Sequence, residues 1–261
     1  MKIRRFSGIA LTLAILGTWW AIASLHVIPE LFLPGPVQVV DAFRDTFPTI
    51  LIHTAATLSR AWAGLILGSC LGIFVGLAMC WNQTVFALLD PLVESVRPVP
   101  AIAAIPFFIL WFGTGSAGQV LLISLSCAAV LAVDVFHAVG NVSPLIIRAA
   151  QSLGATRWTV YRSIILPAII PALAPGLRIV AALSFSIAVA SEFIGAQWGL
   201  GFIIMRARRT LETQTILLGM LLIGVLARST DLAIRSALNH ITRWSESSTE
   251  LLQQPREENQ S

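Results

Sequence analysis

Three charged side chains, Asp134, Arg178 and Glu192, fall inside stretches otherwise apolar enough to cross a membrane. An unpaired charge there is costly, so each needs a partner or a solute. Counted from the ends of their stretches, Asp134 and Arg178 lie at similar depth, and two readings stay open. The two side chains pair with each other, or Arg178 offers positive potential to an anionic or zwitterionic solute on a transmembrane pathway. Glu192 sits near the far end of the stretch that carries Arg178, where a gate would stand. Arg228, Asp231 and Arg235 are spaced by three and four residues, which suits a helical ion-pair ladder.

Other chemistry is thinly provided. His26, His53, His137 and His240 are scattered and make no paired-ligand motif. Cys70, Cys80 and Cys127 lie in apolar stretches without metal-ligand spacing, so they read as structural thiols and no metal site is expected. Lys2 is the single lysine, which excludes a G-x-x-x-x-G-K-[ST] phosphate loop; any ATP in this system is bound by another chain. A membrane-embedded enzyme would need a nucleophile and base at useful spacing, and none is present.

One polar stretch interrupts the apolar pattern. Residues 148–167 read R-A-A-Q-S-L-G-A-T-R-W-T-V-Y-R-S-I-I-L-P. Ala149, Ala150, Gly154 and Ala155 put small side chains on a short helix that another protein could approach closely. Gly154 stands where a helix needs a left-handed residue to stop. Thr156 is placed to cap a second short helix, and Pro167 to open the next span at its first turn. A loop this long and patterned is expected to be a docking surface rather than a minimal turn.

The surrounding elements follow from composition. The chain has 261 residues, 56% hydrophobic and 11% charged, with mean hydropathy +0.83; a soluble domain carries about twice that charged fraction. The reading is an all-α polytopic membrane protein with six spans near residues 6–25, 57–81, 101–112, 118–139, 168–195 and 214–238. Trp19 and Trp20 are too bulky for a signal-peptide cleavage site and suit an interfacial belt, so the first span is read as uncleaved. The expected organisation is an N-terminal span (1–28), an outer interfacial segment (29–54), a core (55–244) containing the polar loop 146–167, and a polar inner tail (245–261). Within 29–54, Pro36 opens a helix with Val37, Val40, Phe43 and Phe47 on its apolar face. Residues 82–100 are read as an inner loop. Gly64, Gly68, Gly72 and Gly76 recur every fourth residue and form a ridge for close helix packing. The net charge of +4 is placed mostly in inner loops, which puts both termini and the polar loop in the cytoplasm and removes the need for a nucleic-acid partner. Arg206, Arg208 and Arg209 oppose that orientation.

The polar loop resembles the "EAA loop" of permease subunits in ATP-driven importers, a coupling helix that plugs into a groove on the ATPase. Further segments resemble the taurine, sulfonate and nitrate importer permeases: L-F-L-P-G-P-V-Q-V-V at 31–40, V-R-P-V-P at 96–100, P-F-F-I-L-W-F-G-T-G at 106–115, G-L-R-I at 176–179, S-E-F-I-G at 191–195 and G-L-G-F at 199–202. The resemblance implies the type I importer permease fold and alternating access in a bacterial inner membrane. It also implies a complex of two permease copies, two cytoplasmic ATPases that hold the ATP and Mg, and a periplasmic solute-binding protein. Carried onto this chain, it assigns ATPase coupling to Arg148, Ala149, Ala150, Leu153, Gly154, Ala155, Arg157, Leu166 and Pro167. Arg148 departs from the family's usual Glu, which reverses a charge at the ATPase groove. R-A-A-Q-S-L-G-A is closest to the taurine-type branch and points to a small organosulfonate. The rival reading, a stand-alone secondary transporter or channel, would favour inverted repeats; the halves of this chain show no repeat, and such a protein has no use for a coupling loop.

Overall fold

The computed structural model describes residues 2–242. They form helices joined by short turns, with no strand among the described residues. The expected polar tail 245–261, and Arg243 before it, lie outside them.

The chain opens with α1 (Lys2–Ser24), where the sequence predicts the first span. A turn segment leads to α2 (Pro36–Asp45), opened by Pro36 as its sequence predicts and closed at its start by a Gly35 N–H bond to the Gln38 side chain. The buried face of α2 is Val39 and Ala42, however, and Val37 and Val40 point outward. An apolar stripe facing away from protein is permitted where the surroundings are lipid.

α3 (Phe47–Trp81) has 35 residues, about 52 Å at 1.5 Å per residue. It starts ten residues before the predicted span, because Pro48 falls in its first turn and the following residues are apolar. At this length it must tilt or protrude from about 30 Å of hydrocarbon.

The predicted inner loop at 82–100 is not a loop. Asn82 caps α4 (Gln83–Val96), its side chain accepting from Thr84 N–H at 2.9 Å, and α4 continues through Pro91. After Arg97-Pro98-Val99-Pro100 comes α5 (Ala101–Phe112). The pair is bent by 99° and together is apolar enough for one broken span or a re-entrant loop. Two prolines separated by one residue remove successive N–H donors and disfavour helix in the residues before them, so the break falls there rather than at the isolated Pro91.

α6 (Ser116–Gly140) follows, then α7 (Pro144–Ser152), α8 (Arg157–Val160), a π-helical turn (Tyr161–Ile165), α9 (Leu166–Ala172) and α10 (Ala174–Gly195). α11 (Leu200–Thr210) and α12 (Thr213–Ile241) complete the described chain. By length and hydropathy α3, α6, α10 and α12 can each cross a membrane alone, and α4–α5 makes a fifth if the bent pair is one span. α1 contributes the apolar helix Ala10–Ser24.

The chain divides into two compact units that are not contiguous in sequence. One takes residues up to 59 with 188–226, and its core joins Val39, Ala42 and Ile50 to Leu200, Ile203 and Leu218. The other takes residues 60–187 with the chain from Ala227. In that second unit the glycine ridge lies directly on α6. A Cβ at Gly68 would stand 2.5 Å from Ser124 O, at Gly72 2.7 Å from Ala128 O, and at Gly76 2.6 Å from Ala132 O, while Gly64 presses on Ile123. The spacing of four therefore serves as helix-to-helix packing, with α3 and α6 too close for any side chain on the ridge.

Candidate functional site

The polar loop folds as its residue types dictate. α7 ends in a Schellman motif: Ala155 N–H bonds to Ala150 O at 3.0 Å and Gly154 N–H to Gln151 O at 2.9 Å. Gly154 takes φ +86°, a left-handed backbone that glycine adopts without strain. Thr156 Oγ1 then accepts from Thr159 N–H at 3.2 Å and caps α8. Pro167 does not open a fresh span. Helical residues run into it from Arg157, and the π turn supplies the change of pitch, with Leu166 N–H bonded to Tyr161 O. A proline lacks its N–H and crowds the preceding turn, so a widened turn just before it is the helical way to continue.

No residue of α7 is buried. Leu153 is 89% exposed, and Leu145, Ile146 and Trp158 are exposed beside it. Arg148 and Ala149 share that outward face, whereas Ala150, Ala155 and Leu166 pack inward against a core of Val135, Val160, Tyr161, Ile165, Ile169 and Leu173. The predicted coupling set thus splits into an outward apolar surface with one cation and an inward row that anchors it.

The anchor includes a clamp that sequence reasoning missed. The Arg157 guanidinium lies 4.8 Å from the Trp81 ring centroid and donates to Trp81 O. Tyr161 packs edge-on against Trp81, centroids 4.8 Å apart, and its hydroxyl donates to Leu77 O at 3.1 Å. Burial, chiefly, and the neighbouring Cys80 push the Tyr161 phenol up to about 12, with Arg157 pulling the other way. The α8 end of the loop is therefore fastened to the end of α3. Arg157 positions the loop, and its charge is committed within the chain. Nothing in the sequence links positions 76 residues apart, so this clamp had no local signal.

The Asp134–Arg178 pair, one of the two readings, does not form. Arg178 Nε and Nη2 donate to the two Asp231 carboxylate oxygens at 2.5 and 3.2 Å, and Arg228 Nη1 reaches Asp231 at 2.8 Å. Arg178 and Asp231 come from α10 and α12, and Arg235 is outside the cluster. Position along a helix does not say which neighbour its face meets. Asp134 instead sits against Gly176 in the first turn of α10, where a Cβ would push its carboxylate aside and where a helix start favours negative charge.

Glu192 is 1% exposed. Both its oxygens lie 2.9 Å from the Thr57 hydroxyl, and one accepts from Gly201 N–H at 2.9 Å. Thr57 Oγ1 accepts from Leu200 N–H at 2.8 Å, and His53 Nδ1 from Gly199 N–H at 2.9 Å. These side chains satisfy the orphan donors at the start of α11, whose N-cap Gly199 has no side chain to do so. Gly199 takes φ +134° and packs on the Glu192 carboxylate. The geometry makes Glu192 a cap for α11, and Thr57 and His53 join the set of functional candidates.

The described residues therefore form long apolar helices with one bent pair, an exposed apolar face on α7 and an Arg178–Asp231–Arg228 charge cluster. Solved importer structures share this arrangement of the backbone. An inward-facing MetNI methionine ABC transporter superposes with TM-score 0.60 at 19% identity, covering 74% of this chain and 97% of that one. A bacterial alginate ABC transporter gives TM-score 0.60 at 17% identity, covering 93% and 97%. In sequence, the taurine transport system permease protein TauC of Escherichia coli (strain K12) is 40% identical over 243 residues, 89% of this chain and 88% of that protein. The putative aliphatic sulfonates transport permease protein SsuC of Bacillus subtilis (strain 168) is 28% identical over 91% of this chain and 87% of its own length. Residues 68–243, from the glycine ridge through the coupling loop to the end of α12, match the binding-protein-dependent transport system inner membrane component family. On these grounds the chain belongs to that family and is a membrane-spanning permease subunit of an ABC importer.

Proposed function

We propose that this permease imports taurine or a closely related organosulfonate, delivered by a periplasmic binding protein and driven by cytoplasmic ATPase subunits that hold the ATP and Mg. The sulfonate reading rests on the 40% identity to the taurine permease, which runs through nearly the whole chain. The reading of the α7 surface rests on its exposed Leu145 and Leu153 flanking a tight glycine turn with no larger side chain over it. Two copies of the chain enclose a central pathway, with both termini and the coupling loop on the ATPase side.

The chain's own part is mechanical. ATPase closure moves α7; the Schellman turn carries that motion to α8, and the Trp81–Arg157–Tyr161 clamp passes it to α3. Because α3 is locked to α6 along the glycine ridge, the two helices move together. Arg148 places a positive charge on the docking face, so the ATPase groove that receives it carries a carboxylate.

Co-purification tests the docking. Leu153→Asp, at an exposed position outside the hydrocarbon, should leave insertion intact and abolish recovery of the ATPase; normal recovery removes α7 as the docking element. Taurine uptake by proteoliposomes holding permease, ATPase and binding protein tests the solute, and failure to accumulate it refutes the sulfonate reading.

A further inference from the structure

The break between α4 and α5 opens onto a cavity of about 470 Å3, within the roughly 300–1,000 Å3 usual for small-molecule sites. Its walls are the break itself, Ala104 and Phe108 of α5, one face of α6 from Leu122 to Val130, and Leu183 of α10. They are mostly apolar, and the single charged side chain among them is Arg97. Arg97 has no carboxylate partner among the described residues, unlike Arg178, which is held by Asp231. α5 starts at this cavity with Pro100 as its N-cap, which provides no side-chain acceptor for the first amides of the helix.

We propose that this cavity is a sulfonate-binding station within the permease, with Arg97 as the residue that holds the anionic group. Discontinuous membrane helices expose backbone donors and a positive helix end to an anionic solute, which a continuous span cannot do. The planar guanidinium offers two parallel donors to a sulfonate's oxygens, and the apolar wall suits the short carbon chain. This station, not Arg178, supplies the positive potential that an anionic solute needs inside the membrane. The inference rests on the sulfonate reading above and deepens it.

The test uses the complete importer in proteoliposomes, with taurine as the probe. Taurine uptake by the wild type examines the sulfonate reading by itself; without it that reading and this station both fall. With wild-type uptake established, Arg97→Gln should lower uptake at subsaturating taurine by about tenfold or more, the scale of one charge-assisted contact, with Arg97→Lys between the two. Ala104→Phe fills the cavity without touching a charge and should cause a similar loss while the ATPase still co-purifies. This second variant decides the matter if Arg97→Gln fails to assemble. Wild-type uptake by Ala104→Phe overturns the station and marks the cavity as a lipid seat, leaving the sulfonate reading intact. Uptake within about twofold of wild type for Arg97→Gln overturns the role of Arg97 in the same way.

Discussion

Replacing Gly72 by alanine measures how much the α3–α6 contact contributes. The new Cβ would meet Ala128 O at 2.7 Å, Leu131 Cβ at 2.9 Å and Ala128 Cα at 3.0 Å, where ordinary contacts are 3.4–4 Å. Two of these neighbours are backbone atoms and cannot rotate away, so α3 must back off α6 by about 1 Å. A gap of that size forfeits a quarter to a half of the dispersion energy of the atoms lining it. Overpacking of this kind costs about 1–3 kcal/mol, offset by the ~0.5–1 kcal/mol that alanine gains over glycine in a helix interior. Gly224, in α12, is the internal control, since its Cβ would meet nothing within 4 Å. Gly224→Ala receives the helical gain alone, so the two variants should differ by about 1–3 kcal/mol. Reversible unfolding of the purified chain in detergent or bicelles reads that difference. If Gly72→Ala is as stable as Gly224→Ala, the ridge does not hold the helices as closely as the contacts imply.

Arg178→Met leaves Asp231 with Arg228, so it should lower thermal stability less than Asp231→Asn, which leaves two guanidiniums facing each other; rescue of Arg178→Met by Asp134→Asn would contradict the observed pairing. Glu192→Gln turns an amide donor towards the Thr57 and Gly201 donors and should cost about 1.5–3 kcal/mol in unfolding experiments, whereas a wild-type melting curve would refute the cap. Tyr161 is the single tyrosine of the chain, so an ultraviolet titration of the purified permease reads it directly and should show ionisation at about 12. Its pKa is raised in the folded state, so its contribution to stability is complete below the ordinary value of 10 and lost as pH climbs through about 12. Trp81→Ala should bring that titration back towards 10, and no shift would mean that Trp81 does not shield the phenol.

Local sequence was sufficient wherever one segment carried its own instructions. Apolar length announced the spans, Gly154 and Thr156 specified the Schellman stop and the cap of the coupling loop, and the every-fourth-residue glycines announced a ridge. Each of these is a property of a single helix or turn, set by periodicity or by the conformations a residue permits. Tertiary structure decided what each helix face meets. Asp231 rather than Asp134 receives Arg178 because azimuth around α10, not depth along it, selects the partner. Trp81 and Arg157, like Thr57 and Glu192, meet only once distant helices pack. Pro98 and Pro100 were legible as punctuation, but only the fold shows that they separate two helices bent by 99° instead of ending a loop. That break leaves Arg97 at a cavity, because a helix carries its hydrogen bonds within itself while its neighbours are chosen by packing.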